Sequence, residues 1–185
     1  ARYNVQKLSP LVNDAIPIIG IEPSAILTFR DEYLDLADAD WKSAAQHLAR
    51  YALTMEEFLD HEMLRGNIAQ TAFTSDTKKI KIHGHCYQKA FQLMQHTKNI
   101  LSFPANFTVE LIPSGCCGMA GSFGYEKEHY EVSMNIAELV LLPAVRSTAT
   151  DDIIVAAGTS CRHQIADGSD RRAYHPVEVL YDALV

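Results

Sequence analysis

Four cysteines, Cys86, Cys116, Cys117 and Cys161, are the residues of this chain best suited to chemistry. They stand in three short strings, HGHC (83–86), GCCG (115–118) and TSCRHQ (159–164). Thiolates select zinc, copper(I) and iron–sulfur clusters, and four of them suffice for a [4Fe–4S] centre or a zinc site. His83, His85 and His163 are close enough in sequence to complete or replace one ligand. For His83, on a strand pattern, a packed core histidine is an equal reading. For His85 and His163, support of a ligand from behind is as open as ligation itself. Glycine recurs at every third position, Gly115, Gly118, Gly121 and Gly124. Without a Cβ the backbone can approach a bulky anionic group and aim its N–H groups at it, which makes Gly115, Gly118 and Gly121 candidate cofactor-binding positions.

The spacing removes familiar alternatives. No C-x-x-C occurs, so neither a zinc ribbon nor a thioredoxin-type pair fits. Between Cys86 and Cys116 lie 29 residues, and between Cys117 and Cys161 lie 43, so only a whole fold can gather these thiols. The glycine run matches neither the P-loop nor the dinucleotide fingerprint. Two plainer readings remain open: small buried hydrophobes, or a thiol enzyme in which Cys116 and Cys117 act on a disulfide.

The elements that must position these residues are short apolar runs followed by turns. Strands are expected at 16–21, 80–83, 108–112 and 153–157, with each cysteine string after one of the last three. Helical periodicity runs through Ala44, Leu48, Tyr51, Met55, Phe58 and Leu59, and helices are expected at 87–101 and 126–142. Residues 168–170 are expected in a loop. Strand alternating with helix predicts an α/β fold, a Rossmann-like parallel sheet with helices on both faces. Ligands of such sheets bind outside the carboxyl ends of the strands, so the cysteines are expected at that edge. A faint echo links IIGIEPSA (18–25) to IVAAGTSC (154–161), 136 residues apart, with Ala25 where the second copy has Cys161.

Composition sets the outer limits. The net charge of −7 argues against a nucleic-acid surface, which needs a basic patch. No apolar run approaches the ~20 residues that span a bilayer. The start at Ala1-Arg2, without methionine, is expected of a processed chain or of a piece of a longer one. Cysteine usage suits a reducing compartment better than a disulfide-stapled secreted fold.

The strings HGHCYQKA, IPSGCCGMAGSFGYEKEHYEVSM, LLPAVR, AAGTSCRHQI and HPVEVLYDAL resemble the C-terminal cysteine-rich (CCG) domain of FAD-linked oxidases with iron–sulfur domains. These oxidases are similar to D-lactate and glycolate dehydrogenases and are related to heterodisulfide reductase CCG domains. The match covers roughly residues 80–184, with IEPSAILTFRDEY upstream. The resemblance implies that residues 1–75 are the tail of a first, degenerate CCG repeat with a linking helix, and 76–185 a complete repeat. It implies an electron-transfer domain of an FAD-dependent 2-hydroxy-acid oxidoreductase, not active alone, with an iron–sulfur cluster on Cys86, Cys116, Cys117 and Cys161 and FAD elsewhere in the full-length protein. FAD-binding and ferredoxin-like domains and an electron acceptor would be its partners. The location implied is cytoplasmic, with partners that can be bound to the inner membrane. The chain departs from the pattern where Gln164 follows Cys161 in place of the family's last cysteine, and where Ala25 replaces a cysteine. Zinc on four cysteines, or on three with a histidine, would make the domain a structural or docking module, and a thiol–disulfide reductase is the other alternative.

Overall fold

The computed structural model describes residues 1–185 throughout. The chain divides into two compact units, Ala1–Phe58 and Leu59–Val185.

In the first unit β1 (Ile18–Gly20) pairs in parallel with β2 (Ala52–Thr54). Val5, Val12, Trp41, Ala45 and Leu48 form its buried core. The periodicity from Ala44 to Leu59 predicts one helix, but the structure makes two, Lys42–Tyr51 and Met55–Leu64, with β2 between them. A capping box makes the break. The Glu57 N–H donates to Thr54 Oγ1 at 3.2 Å, and the Thr54 N–H donates to the Glu57 carboxylate at 2.9 Å. Arg30 secures the junction, donating to the Ala52 carbonyl at 2.7 Å and to both Glu57 oxygens at 3.0 and 3.1 Å.

The second unit is built on four strands, β3 (Lys78–His83), β4 (Phe107–Leu111), β5 (Ile153–Ala156) and β6 (Ala173–Tyr174). All pair in parallel, in the spatial order β4-β3-β5-β6. On one face Ile80, Ile82 and Val155 pack against Ile100 and Leu101 of helix Met94–Leu101 and against Val179 and Leu180 of helix Pro176–Tyr181. On the other, Ile154 and Ala156 pack against Leu141 and Val145 of helix Leu141–Ser147 and Ile165 of helix Thr159–Ser169. The α/β, Rossmann-like fold with helices on both faces is thus as expected. Each fully buried aliphatic side chain contributes about 1.5–3 kcal/mol, so the two faces hold the sheet between them.

Two expected helices are interrupted. The stretch 87–101 becomes Cys86–Ala90 and Met94–Leu101, with Gln92 between them at φ 59°. The stretch 126–142 becomes a short 3₁₀ turn, helix Tyr130–Glu138 and the start of Leu141–Ser147. Pro143 falls in the first turn of that last helix, where its missing N–H costs nothing. Gly168 and Ser169 lie in the last helical turn rather than a loop, and Asp170, left-handed at φ 53°, ends it.

From β3 the chain moves outward to β4, then returns past β3 to β5. The strand order therefore reverses between β3 and β5, the place where open α/β sheets bind ligands. No helix is long and apolar enough to cross a membrane.

In the first unit Glu56 is fully buried. Burial first, then the carboxylates of Glu57 and Glu22, push it up to about 7. The folded chain holds this proton more tightly than the unfolded one, so the contribution to stability is full below about 4.5 and is lost as pH rises through 7. Glu56→Gln is expected to remove this loss and to be more stable than the parent at about pH 8 by roughly 1–3 kcal/mol, read from urea denaturation across pH.

Candidate metal centre

The three strands β4, β3 and β5 deliver the thiols to one edge of the second unit's sheet. Cys86 opens helix Cys86–Ala90 just past β3, Cys116 and Cys117 lie in the irregular segment after β4, and Cys161 sits in the first turn of the helix after β5. Ile80 and Ile82 face the first core, so strand alternation sends His83, the last residue of β3, to the opposite face with Cys117 and Cys161.

The thiols touch in sequence. Cys116 hydrogen-bonds with Cys86 and Cys117, and Cys117 with Cys161. The ligand atoms of His83, Cys117 and Cys161 all lie within 4.8 Å of one another, and all three residues are buried. Cys86 is exposed and Cys116 intermediate, so the group has a buried and an open end. Cys116 is held far below the ordinary thiol range because it accepts from Cys117 and Cys86 and from the backbone N–H groups of Gly118 and Ala120. Cys161 is drawn down to about 5, mainly by its bond from Cys117, with His83 and His85 adding to it. Cys86 and Cys117, which give those hydrogen bonds, are pushed up. Thiols drawn down and thiols pushed up alternate along the row.

The loop that carries Cys116 and Cys117 is shaped to face sulfur. The Gly118 N–H lies 3.2 Å from Cys116 Sγ, and the Met119 backbone reaches Cys117. Gly118, Ala120 and Gly121 have φ of 98°, 39° and 69°, the left-handed turns that point successive N–H groups inward. A Cβ at Gly118 would stand 2.1 Å from the Ser133 carbonyl oxygen, whereas one at Gly115 or Gly121 would meet nothing within 4 Å. Gly158 is a close approach of another kind, where a Cβ would lie 2.5 Å from the His85 ring and 3.2 Å from Cys161 Sγ.

Lys89, one turn beyond Cys86, straps this loop down. Its ammonium donates to the Ser114 and Gly115 carbonyls, at 2.7 Å each. Burial lowers its pKa, against which the nearby cysteines hold its charge. Lys89 and Ser114 carried no signal as candidates in the sequence. The i, i+3 spacing from Cys86 to Lys89 is the only trace of the strap there.

Among the expected site residues, the four cysteines are brought together and His85 stands next to them. His85 is occupied as a helix cap, its Nδ1 accepting from the Tyr87 N–H at 3.2 Å. His163 is exposed and pairs with the Tyr125 hydroxyl at 2.8 Å. His175 caps the last helix in the same way as His85. Gln164, at the position of the family's last cysteine, is buried and donates to the Ser133 carbonyl and hydroxyl at 3.0 and 2.9 Å. Its amide pins helix Tyr130–Glu138. The donor set suits a thiophilic metal: four sulfurs, N–H groups aimed at two of them, and a buried His83 Nε2 with no hydrogen-bond partner.

Known proteins resemble the chain over nearly its whole length. The chain aligns with D-2-hydroxyglutarate dehydrogenase of Haemophilus influenzae at 26% identity, covering 100% of the chain and 18% of that protein. The corresponding enzyme of Escherichia coli is 27% identical, over 100% of the chain and 17% of its own length. One of the subunits of anaerobic glycerol-3-phosphate dehydrogenase from Escherichia coli is 25% identical, over 98% of the chain and 44% of the relative. The chain thus spans less than half the length of these curated relatives, consistent with a C-terminal domain of an FAD-linked oxidase. No family model matches the chain, and no solved structure matches it.

The three glycines should respond differently to alanine. Gly118→Ala, with a forbidden φ and a backbone clash, is expected to lose about 3 kcal/mol or more. Gly121→Ala meets only the left-handed penalty of roughly 1–2 kcal/mol. Gly115→Ala should stay within about 0.5 kcal/mol. Urea midpoints for the three variants check the ranking.

Proposed function

We propose that this chain is the electron-transfer part of an FAD-dependent 2-hydroxy-acid oxidoreductase, holding an iron–sulfur cluster on Cys86, Cys116, Cys117 and Cys161. The observation that carries the reading is the gathering of four thiols from three strand ends into one hydrogen-bonded row. A bound cluster would supply one-electron chemistry. The chain's own part is to hold it: Cys117 and Cys161 from the apolar core, Cys86 and Cys116 from the open side. N–H groups aimed at sulfur stabilise negative charge there, and such bonds tune cluster potential. The oxidation of the hydroxy acid would belong to a flavin domain in the rest of the protein, so the chain alone should have no dehydrogenase activity. An electron acceptor would meet the Cys86 side.

The first unit fits the remnant of an earlier repeat. β1 leads into helix Pro23–Ile26 as β5 leads into the helix of Cys161, and Ala25 stands at the cysteine position.

A second reading is favoured by the tight His83–Cys117–Cys161 group. Zinc–sulfur and zinc–nitrogen bonds of about 2.3 and 2.0 Å place tetrahedral donors some 3.5–4 Å apart, within reach of that group. A zinc-bound domain would be a structural or docking module without redox chemistry.

Metal analysis of the chain purified without oxygen decides between them. About four irons and four acid-labile sulfides per chain are expected, and a brown colour. Zinc without sulfide would select the second reading. Cys117→Ser is expected to lose most of the bound metal, and unchanged metal content in that variant would remove the cluster from these thiols.

A further inference from the structure

We propose that His83, through Nε2, is a nitrogen ligand of the metal centre, and that Ser114 sets the tautomer that makes it one. The inference rests on the reading of the thiols as a metal site, in which His83 takes the place of one of the four sulfurs as donor. His83 is 1% exposed, and its Nε2 is buried without a hydrogen-bond partner. An unpaired polar atom in a core costs on the order of 1–3 kcal/mol, so an atom left in that state next to two buried cysteines calls for a partner. A ring nitrogen of His83 lies within 4.8 Å of the Cys117 and Cys161 sulfurs, and Nδ1 is taken up by Ser114 Oγ.

The other ring nitrogen says which form the imidazole takes. Nδ1 lies 2.7 Å from Ser114 Oγ, and that hydroxyl is positioned to donate onward to the Ile112 carbonyl at 3.5 Å. In the proposed arrangement Ser114 Oγ keeps its own hydrogen on the Ile112 carbonyl and accepts from Nδ1–H. A neutral imidazole protonated at Nδ1 has a bare lone pair at Nε2, the form that binds a metal. The contrast with His85 is direct. Its Nδ1 accepts the Tyr87 N–H, so in the neutral ring the proton is on Nε2 and no lone pair faces the thiols. Two histidines a single residue apart therefore have opposite tautomers, and only His83 presents a free lone pair inward.

Lys89 completes the arrangement. Its bonds to the Ser114 and Gly115 carbonyls hold the segment that brings Ser114 Oγ to His83 and Cys116 to the row.

The test uses chain carrying nitrogen-15 histidine, loaded anaerobically with iron and sulfide and reduced, or with cobalt(II) where a single ion is preferred. Pulsed EPR is expected to show a nitrogen-15 coupling of the strength of a directly bound imidazole. It should persist in His85→Gln and vanish in His83→Gln. Metal bound with no such coupling, or a coupling that survives His83→Gln, overturns the inference while leaving the thiol site standing. No metal in the parent chain overturns both. Should His83→Gln fail to fold, ring nitrogen NMR of the metal-free parent decides instead: Nδ1–H with a bare Nε2 at His83 is expected, and the reverse tautomer overturns the proposal. Ser114→Ala is expected to weaken cobalt(II) binding about 10–100-fold in chelator competition, and parent-like affinity would remove Ser114 from it.

Discussion

Four sulfur atoms in a row, each beside the next, cannot all be negative without compensation, and the structure around them supplies it. Cys116 and Cys161 are drawn down and Cys86 and Cys117 are pushed up, so the thiols that favour charge are separated by ones that donate. Backbone N–H groups of Gly118 and Ala120 serve the same end at Cys116, and the Lys89 ammonium stands beside the row. A metal entering such a site replaces protons already shared between sulfurs. Its binding is therefore tied to proton release and to the fold that assembles the row.

That assembly depends on the reversal of strand order. The 29 residues from Cys86 to Cys116 contain one crossover from β3 to β4, and the 43 from Cys117 to Cys161 contain the longer return to β5. Both gaps are simply the lengths of helical connections over a parallel sheet. Because β4, β3 and β5 are immediate neighbours, residues just past their carboxyl ends meet without any local cysteine motif.

Much of this was legible in the residues. Apolar runs ending in glycine-bearing turns located β3, β4 and β5, and the GCCGMAGSFG string announced a backbone that must come close to something. Three kinds of feature were hidden. Strand β2 was masked because Ala52–Thr54 continues a helical periodicity, although Thr54-Met55-Glu56-Glu57 spells a capping box. The helix break at Val140 follows from Pro143, which can neither donate to nor pack beside the Leu139 carbonyl, whereas the break at Gln92 has neither glycine nor proline to mark it. The distinction between His83 and His85 lies in hydrogen bonds to Ser114 Oγ and the Tyr87 N–H, which no spacing rule encodes. His163, the most inviting histidine by proximity to Cys161, is two positions along the same helix and so emerges on a different side, where it meets Tyr125.

The row of thiols is not symmetrical in its access to water. Cys117 and Cys161 are 3% and 1% exposed, whereas Cys86 lies in the open. A molecule arriving from solution thus reaches Cys86 first, and Cys117 and Cys161 only from within the packed interior. The inner donors, Cys117 and Cys161, belong to the same packed cluster that covers one face of the sheet.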